Sequence, residues 1–182
     1  MRKTAVNWSR LLAASLLLMP IAIGVNPAQA QKKAEKKSPK PMSQEAKRGK
    51  YLVQVGGCND CHTPGYAFSD GKVDEMNWLI GDALGWRGPW GTTYPANLRL
   101  VAQSMTQAQW MVRAQSEMRP PMPSPALRAM TDADVKAIYA YLRHLGPSGA
   151  VAPAYVPPDK TPTLPFVQFP APPPAAAAPK SK

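Results

Sequence analysis

The sequence predicts an all-α domain, built from a few short helices joined by long irregular loops. Three segments open on helix-capping residues and continue with apolar positions at helical spacing. Alternating strand patterns are weak throughout, and the prolines and glycines crowding residues 81–95 and 120–125 read as loops. The chain has 182 residues, 45% hydrophobic and 18% charged, so one packed domain with appendages is the expected organisation. Two cysteines are too few for a disulfide-rich scaffold or a four-thiolate zinc site.

Residues 1–30 read as an export signal. Arg2, Lys3 and Arg10 form a positive start, Leu11 to Val25 an apolar stretch, and Ala28-Gln29-Ala30 a small–x–small site for cleavage after Ala30. The stretch is shorter than the roughly 20 apolar residues that span a bilayer, and Pro20 interrupts it, which disfavours an uncleaved anchor. A mature chain beginning at Gln31 is expected in an oxidising exported compartment, the periplasm of a bacterium, and not membrane-spanning. Residues 31–42 are rich in Lys and Pro and read as a solvated linker.

The body is expected over residues 43–147. Ser43 caps a helix running to about Val55, with Gly56-Gly57 ending it. Thr106 with Gln109 forms a capping box ahead of Trp110, Met111 and Ala114 on one helix face. Thr131 with Asp134 opens a third helix, whose stripe is Val135, Ile138, Tyr139, Leu142 and Leu145 and whose stop is Gly146-Pro147. Met130, just before that cap, suits a staple-type packing role. Residues 148–182 are expected as a Pro/Ala-rich extended tail, polyproline-like or disordered, serving as a spacer.

The formal net charge of +11 suggests an anionic partner until it is mapped. Residues 1–30 carry +3 and residues 31–42 carry +4, while the body over 43–146 sets eleven basic against nine acidic side chains. A near-neutral body is not a nucleic-acid face, and none is expected as a partner.

Both cysteines lie in Cys58-Asn59-Asp60-Cys61-His62. C-x-x-C-H is the attachment signature of a c-type haem: each thiol adds to one vinyl group, and the adjacent imidazole becomes the proximal iron ligand. Gly56-Gly57 lets the chain turn sharply into the motif. A thioredoxin-type dithiol expects a βαβ setting, which is absent, and a zinc site would need Cys58, Cys61, His62 and His144 together, every Cys and His the chain has. One covalent haem c also supplies the core that long loops need to pack on.

The chain resembles the small single-haem, class I bacterial c-type cytochromes from Ala46 to about Pro147. The resemblance rests on Arg48-Gly49-x-Tyr51-Leu52-Val53, Gly57-Cys58-x-x-Cys61-His62-Thr63-Pro64, Pro120-Pro121-Met122-Pro123 and Met130-Thr131-Asp132-x-Asp134 leading into Ile138-Tyr139-Ala140-Tyr141-Leu142-Arg143. It is similar, less specifically, to the cytochrome domains or subunits of periplasmic dehydrogenases. The resemblance implies a small cytochrome c fold, with N- and C-terminal helices crossing where a glycine meets an aromatic: Gly49 against Tyr141, with Tyr139 the other option. It also implies a distal methionine in a proline-flanked loop before the last helix. Met122 is the expected ligand, 60 residues beyond His62, with Met118 the alternative. Met111 suits core filling, and His144, in the last turn of its helix, suits a partly exposed position better than a second imidazole ligand.

A haem has two propionates that need donors and a flat apolar ring that needs walls. Arg87, Trp90, Tyr94 and Asn97 are the expected contacts. The function these residues imply is electron transfer between redox partner proteins, such as a periplasmic dehydrogenase and a terminal oxidase, through weak and short-lived contacts. The sequence offers no catalytic constellation. Two other readings stay open: a haem subunit of a multi-subunit dehydrogenase or oxidase complex, and an open-site haem sensor or peroxidase-like protein.

Overall fold

The computed structural model describes residues 41–170. The expected leader, the linker as far as Lys40, and residues 171–182 lie outside them.

The first helix, α1, is Gln44–Val55. The Ser43 hydroxyl accepts the Ala46 N–H at 3.1 Å, and the Gly56 N–H closes the last turn on the Leu52 carbonyl at 2.8 Å. The last helix, α6, is Asp132–Leu145. The Thr131 hydroxyl accepts the Asp134 N–H at 3.2 Å, and Gly146, with φ of 69°, turns the chain away. α1 buries Ala46, Gly49, Leu52 and Val53 against Val135, Ala137, Ile138, Tyr141 and Leu142 of α6. Gly49 sits at the crossing beside Tyr141, the first of the two aromatics expected there. Tyr139 is only half buried; its ring packs on Trp110 at 6.0 Å and its hydroxyl donates to the Met105 carbonyl at 2.8 Å. Met130 packs at the edge of the core.

Four short helices fill the interval. α2 is Cys58–His62, α3 Leu98–Gln103, α4 Gln107–Gln115 and α5 Ser124–Ala129. The capping box of α4 is reciprocal: Gln109 N–H reaches the Thr106 hydroxyl, and the Gln109 side chain takes the Thr106 N–H. Trp110 then crosses to α6, its indole N–H donating to the Val135 carbonyl at 3.0 Å.

The protein is mostly helical, but it also carries a small sheet that the sequence patterns do not announce. β1 is Gly85–Gly88, β2 Gly91–Thr93 and β3 Phe166–Gln168, in the order β2-β1-β3. β1 and β2 form an antiparallel hairpin with Trp86 opposite Thr93, and β3 joins β1 in parallel with Gly85 opposite Phe166.

This sheet corrects the spacer reading for residues 148–170. That segment is laid along the hairpin rather than free of it. Val156 exchanges both backbone hydrogen bonds with Thr92, at 2.7 and 3.0 Å. Phe169 packs on Trp86 and Trp90 with ring centroids 5.9 and 5.3 Å away. Its prolines forbid helix but leave an extended chain whose carbonyls are free to accept, and the hairpin supplies the donors.

Arg99 is the largest side chain buried almost completely, at 1% exposure. Its guanidinium donates to three carbonyls: Gly146 and Leu145 at 2.6 Å each, and Met76 at 2.7 Å. Two of these belong to the end of α6, where unsatisfied carbonyls gather partial negative charge, so the cation caps that helix from inside the protein. Arg99→Met fills similar space but takes the donor from three partly buried carbonyls. We expect it to cost about 3 kcal/mol in urea-induced unfolding, against less than about 0.5 kcal/mol for the exposed Arg128→Met.

Candidate cofactor site

The chain enters α2 through Gly57, in the left-handed region at φ of 67°, which a residue with a Cβ adopts only with strain. One turn of helix then sets Cys58, Cys61 and His62 on a short rigid segment. Thr63 locks its end: the hydroxyl donates to Asn59 Oδ1 at 2.8 Å and accepts the Leu79 N–H at 2.8 Å. The His62 carbonyl accepts from Gly81 at 2.9 Å, and Pro95 accepts from Asp82 at 3.2 Å, so residues 79–82 and 95–97 clasp the motif together.

His62 is buried, with Nδ1 2.7 Å from the Ala96 carbonyl. A carbonyl can only accept, so the proton lies on Nδ1 and the lone pair is left on Nε2. Burial pulls the imidazole pKa down, partly opposed by the Ala96 bond, and keeps the ring neutral. A neutral imidazole oriented through its second nitrogen has the donor character an axial iron ligand needs.

The two cysteines are unpaired and half buried. Burial pushes the Cys58 thiol up to about 11, and burial with Asp60 and Asp82 nearby also raises Cys61. A dithiol oxidoreductase needs a thiol pulled down instead. No cluster of metal-holding His, Cys, Asp and Glu occurs among the described residues. Two protonated thiols one turn apart beside an oriented neutral imidazole fit the thioether and axial-ligand needs of a covalent haem.

Met118 and Met122 both lie half buried in the loop between α4 and α5. The Met118 N–H is held by the hydroxyl of buried Ser124 at 3.1 Å, and the Met122 carbonyl accepts the Ser124 N–H at 2.8 Å. His144 is exposed in the last turn of α6.

The four expected propionate contacts fare differently. Arg87 is spent on protein groups: Thr92 Oγ1 at 3.1 Å and the carbonyls of Lys160 and Pro158 at 2.9 and 3.2 Å. Asn97 caps α3 through Oδ1, and its Nδ2 donates to the carbonyls of Ser148 and Ala150 at 2.8 and 3.0 Å. The Trp90 indole N–H points back to the Trp86 carbonyl at 3.3 Å. Of the four, Tyr94 is buried with no side-chain bond among the described residues, and it walls an apolar cavity of about 400 Å³ with Ala96, Leu100, Val101 and Val151. Arg87 and Asn97 anchor the 148–170 segment, because extended chain presents free carbonyls to their N–H groups. Among the described residues, the buried polar side-chain atoms left without a protein partner are Asn59 Nδ2, Thr93 Oγ1 and Gln103 Nε2. Thr93 and Gln103 were not singled out by sequence, and nothing in their local pattern marks them.

No helix among the described residues is long and apolar enough to cross a membrane. Compared with known proteins, the chain matches the family model described as Cytochrome c over residues 46–146. Neither the curated proteins nor the solved structures gave a match.

Proposed function

Because the chain belongs to the cytochrome c family, we propose that it is a periplasmic electron carrier of the single-haem class I type, with one haem bound covalently and held between His62 and Met122. The family makes haem-based electron transfer its chemistry. When bound, the haem supplies a one-electron couple between ferric and ferrous iron. The chain's part is to hold and tune it. Cys58 and Cys61 supply the thioether sulfurs. Ala96 fixes the imidazole tautomer and orientation, so that the Nε2 lone pair is presented without a rotamer search. The Met122 thioether, a soft donor, favours the reduced state and raises the potential. The leader over residues 1–30 supports the periplasmic assignment, and the partners are redox proteins, a periplasmic dehydrogenase or a terminal oxidase. The observation that carries the reading is the bond from His62 Nδ1 to Ala96 within a C-x-x-C-H turn.

The test is the absorption spectrum of the exported protein, ferric and ferrous, with and without carbon monoxide. A low-spin iron that ignores carbon monoxide is expected. Met122→Ala should turn it high-spin, open it to stoichiometric carbon monoxide and lower the potential. An unchanged Met122→Ala spectrum moves the ligand role to Met118, and a wild-type protein that takes carbon monoxide readily brings forward the open-site sensor.

A further inference from the structure

The loop that carries both candidate ligands has little of its own to hold it. Residues 117–123 lie in neither helix nor strand, and Arg119 and Pro120 are exposed. Its internal bonds are a long one from the Met122 N–H to the Arg119 carbonyl, 3.3 Å, and those to Ser124. Outside the loop, Arg119 makes one described interaction. Its guanidinium carbon lies 4.1 Å from the centroid of the Tyr155 ring, the shortest of the cation–π contacts among the described residues. Arg119 forms no ion pair among those residues either.

Tyr155, by contrast, is firmly held. Its hydroxyl donates to the Trp90 carbonyl at 2.7 Å, and its neighbour Val156 is doubly bonded to Thr92. Arg87 grips the chain just beyond, at Pro158 and Lys160. Asn97 grips it just before, at Ser148 and Ala150. Asn97 follows Ala96, whose carbonyl orients His62. One strand of chain therefore touches both sides of the site: the proximal side through Asn97 and the methionine loop through Tyr155.

We propose that residues 148–170 form a strap that positions the distal methionine, with Tyr155 and Arg119 as the positioning pair. The proposal rests on the reading that this loop supplies the iron ligand, and it holds for Met118 as for Met122, since Arg119 lies between them. A cation over an aromatic face gains strength as it is desolvated and imposes little directional demand. Such a contact restrains the loop without fixing the sulfur in a single pose.

Two measurements on the full haem-loaded chain test it: amide hydrogen exchange across residues 118–124, and the affinity of the ferrous protein for carbon monoxide, which competes with the methionine sulfur. Tyr155→Leu and Arg119→Leu should each speed loop exchange and raise carbon monoxide affinity by about threefold to tenfold. Amides of α1 and α6 should keep wild-type rates. The double variant should do no more than either single one, because both remove the same contact. Tyr155→Phe keeps the ring but gives up the bond to Trp90, so it should fall between wild type and Tyr155→Leu in both readouts. Unchanged loop exchange, equal acceleration in α1 and α6, or additive single effects would each overturn the strap. Faster exchange with unaltered carbon monoxide affinity would show a strap that orders the loop without positioning a ligand, and overturns the proposal as stated. The ligand reading fails separately: it falls if neither Met122→Ala nor Met118→Ala admits carbon monoxide, whatever the exchange result.

Discussion

Cys58→Ala/Cys61→Ala is expected to release all haem into acid–organic solvent, whereas either single variant retains it through the remaining thioether. The two thiols are chemically similar in the folded chain: unpaired, half buried and raised in pKa by that burial. Neither is activated for dithiol exchange, and the use proposed for the pair is as two anchors. A covalent anchor makes loss of the axial bonds an intramolecular event, with an effective concentration on the order of millimolar for rebinding. With one thioether left, the haem cannot escape, though its plane is free to tilt about the remaining link. With none, retention depends on His62 and the distal sulfur alone, and both bonds are reversible. His62 should keep its orientation in the double variant, because its hold on Ala96 is independent of the thiols. Visible absorption after extraction is the measurement. Haem that stays with the double variant would mean that attachment uses other residues, and the C-x-x-C-H turn would lose its assigned role.

What could be read from the sequence divides by the range of the interactions involved. Ser43, Thr106 and Thr131 act on amides three residues away, so their caps are visible in a short window, and all three hold in the structure. The Cys58–His62 motif is local for the same reason. The sheet is the opposite case. β1 is Gly-Trp-Arg-Gly, with no alternation, and its parallel partner, Phe166–Gln168, lies some 80 residues on in a proline-rich segment. Such pairing depends on where the chain returns, which no window reveals. Arg99 is hidden similarly: a lone cation in Leu-Arg-Leu-Val reads as surface, and only the fold brings the end of α6 onto it. The bonds from Arg87 and Asn97 to residues 148–170 depend on the same non-local return of the chain. The crossing of α1 and α6 was legible only through family resemblance, since a glycine in a helix has many uses.

Gly49→Val is expected to abolish stable folding, and even Gly49→Ala should cost about 3 kcal/mol or more. A Cβ built on Gly49 lies 1.9 Å from the Ala137 carbonyl oxygen, 2.5 Å from its carbon and 2.9 Å from the Tyr141 Cβ. The first two atoms are backbone of α6, so no rotamer change relieves the clash; the helices must move apart. Helix propensity favours the alanine by about 1 kcal/mol, which offsets only a part of the cost. Separation also disturbs what the crossing organises. Tyr141, fully buried, donates its hydroxyl to Glu75 at 2.9 Å, and Lys50, next to Gly49, pairs with the other oxygen of that carboxylate. Burial and the adjacent Glu75 keep the Tyr141 phenol protonated far above its ordinary range. A domain of this size has a total stability of about 5–15 kcal/mol, so a loss of this size is a large share of it. Urea unfolding of the haem-loaded protein measures it, with Gln54→Ala on the exposed face of α1 as the control, expected within about 0.5 kcal/mol of wild type. A Gly49→Ala protein as stable as the control would mean that the helices have room to part, and that the contact at Gly49 does not set their separation.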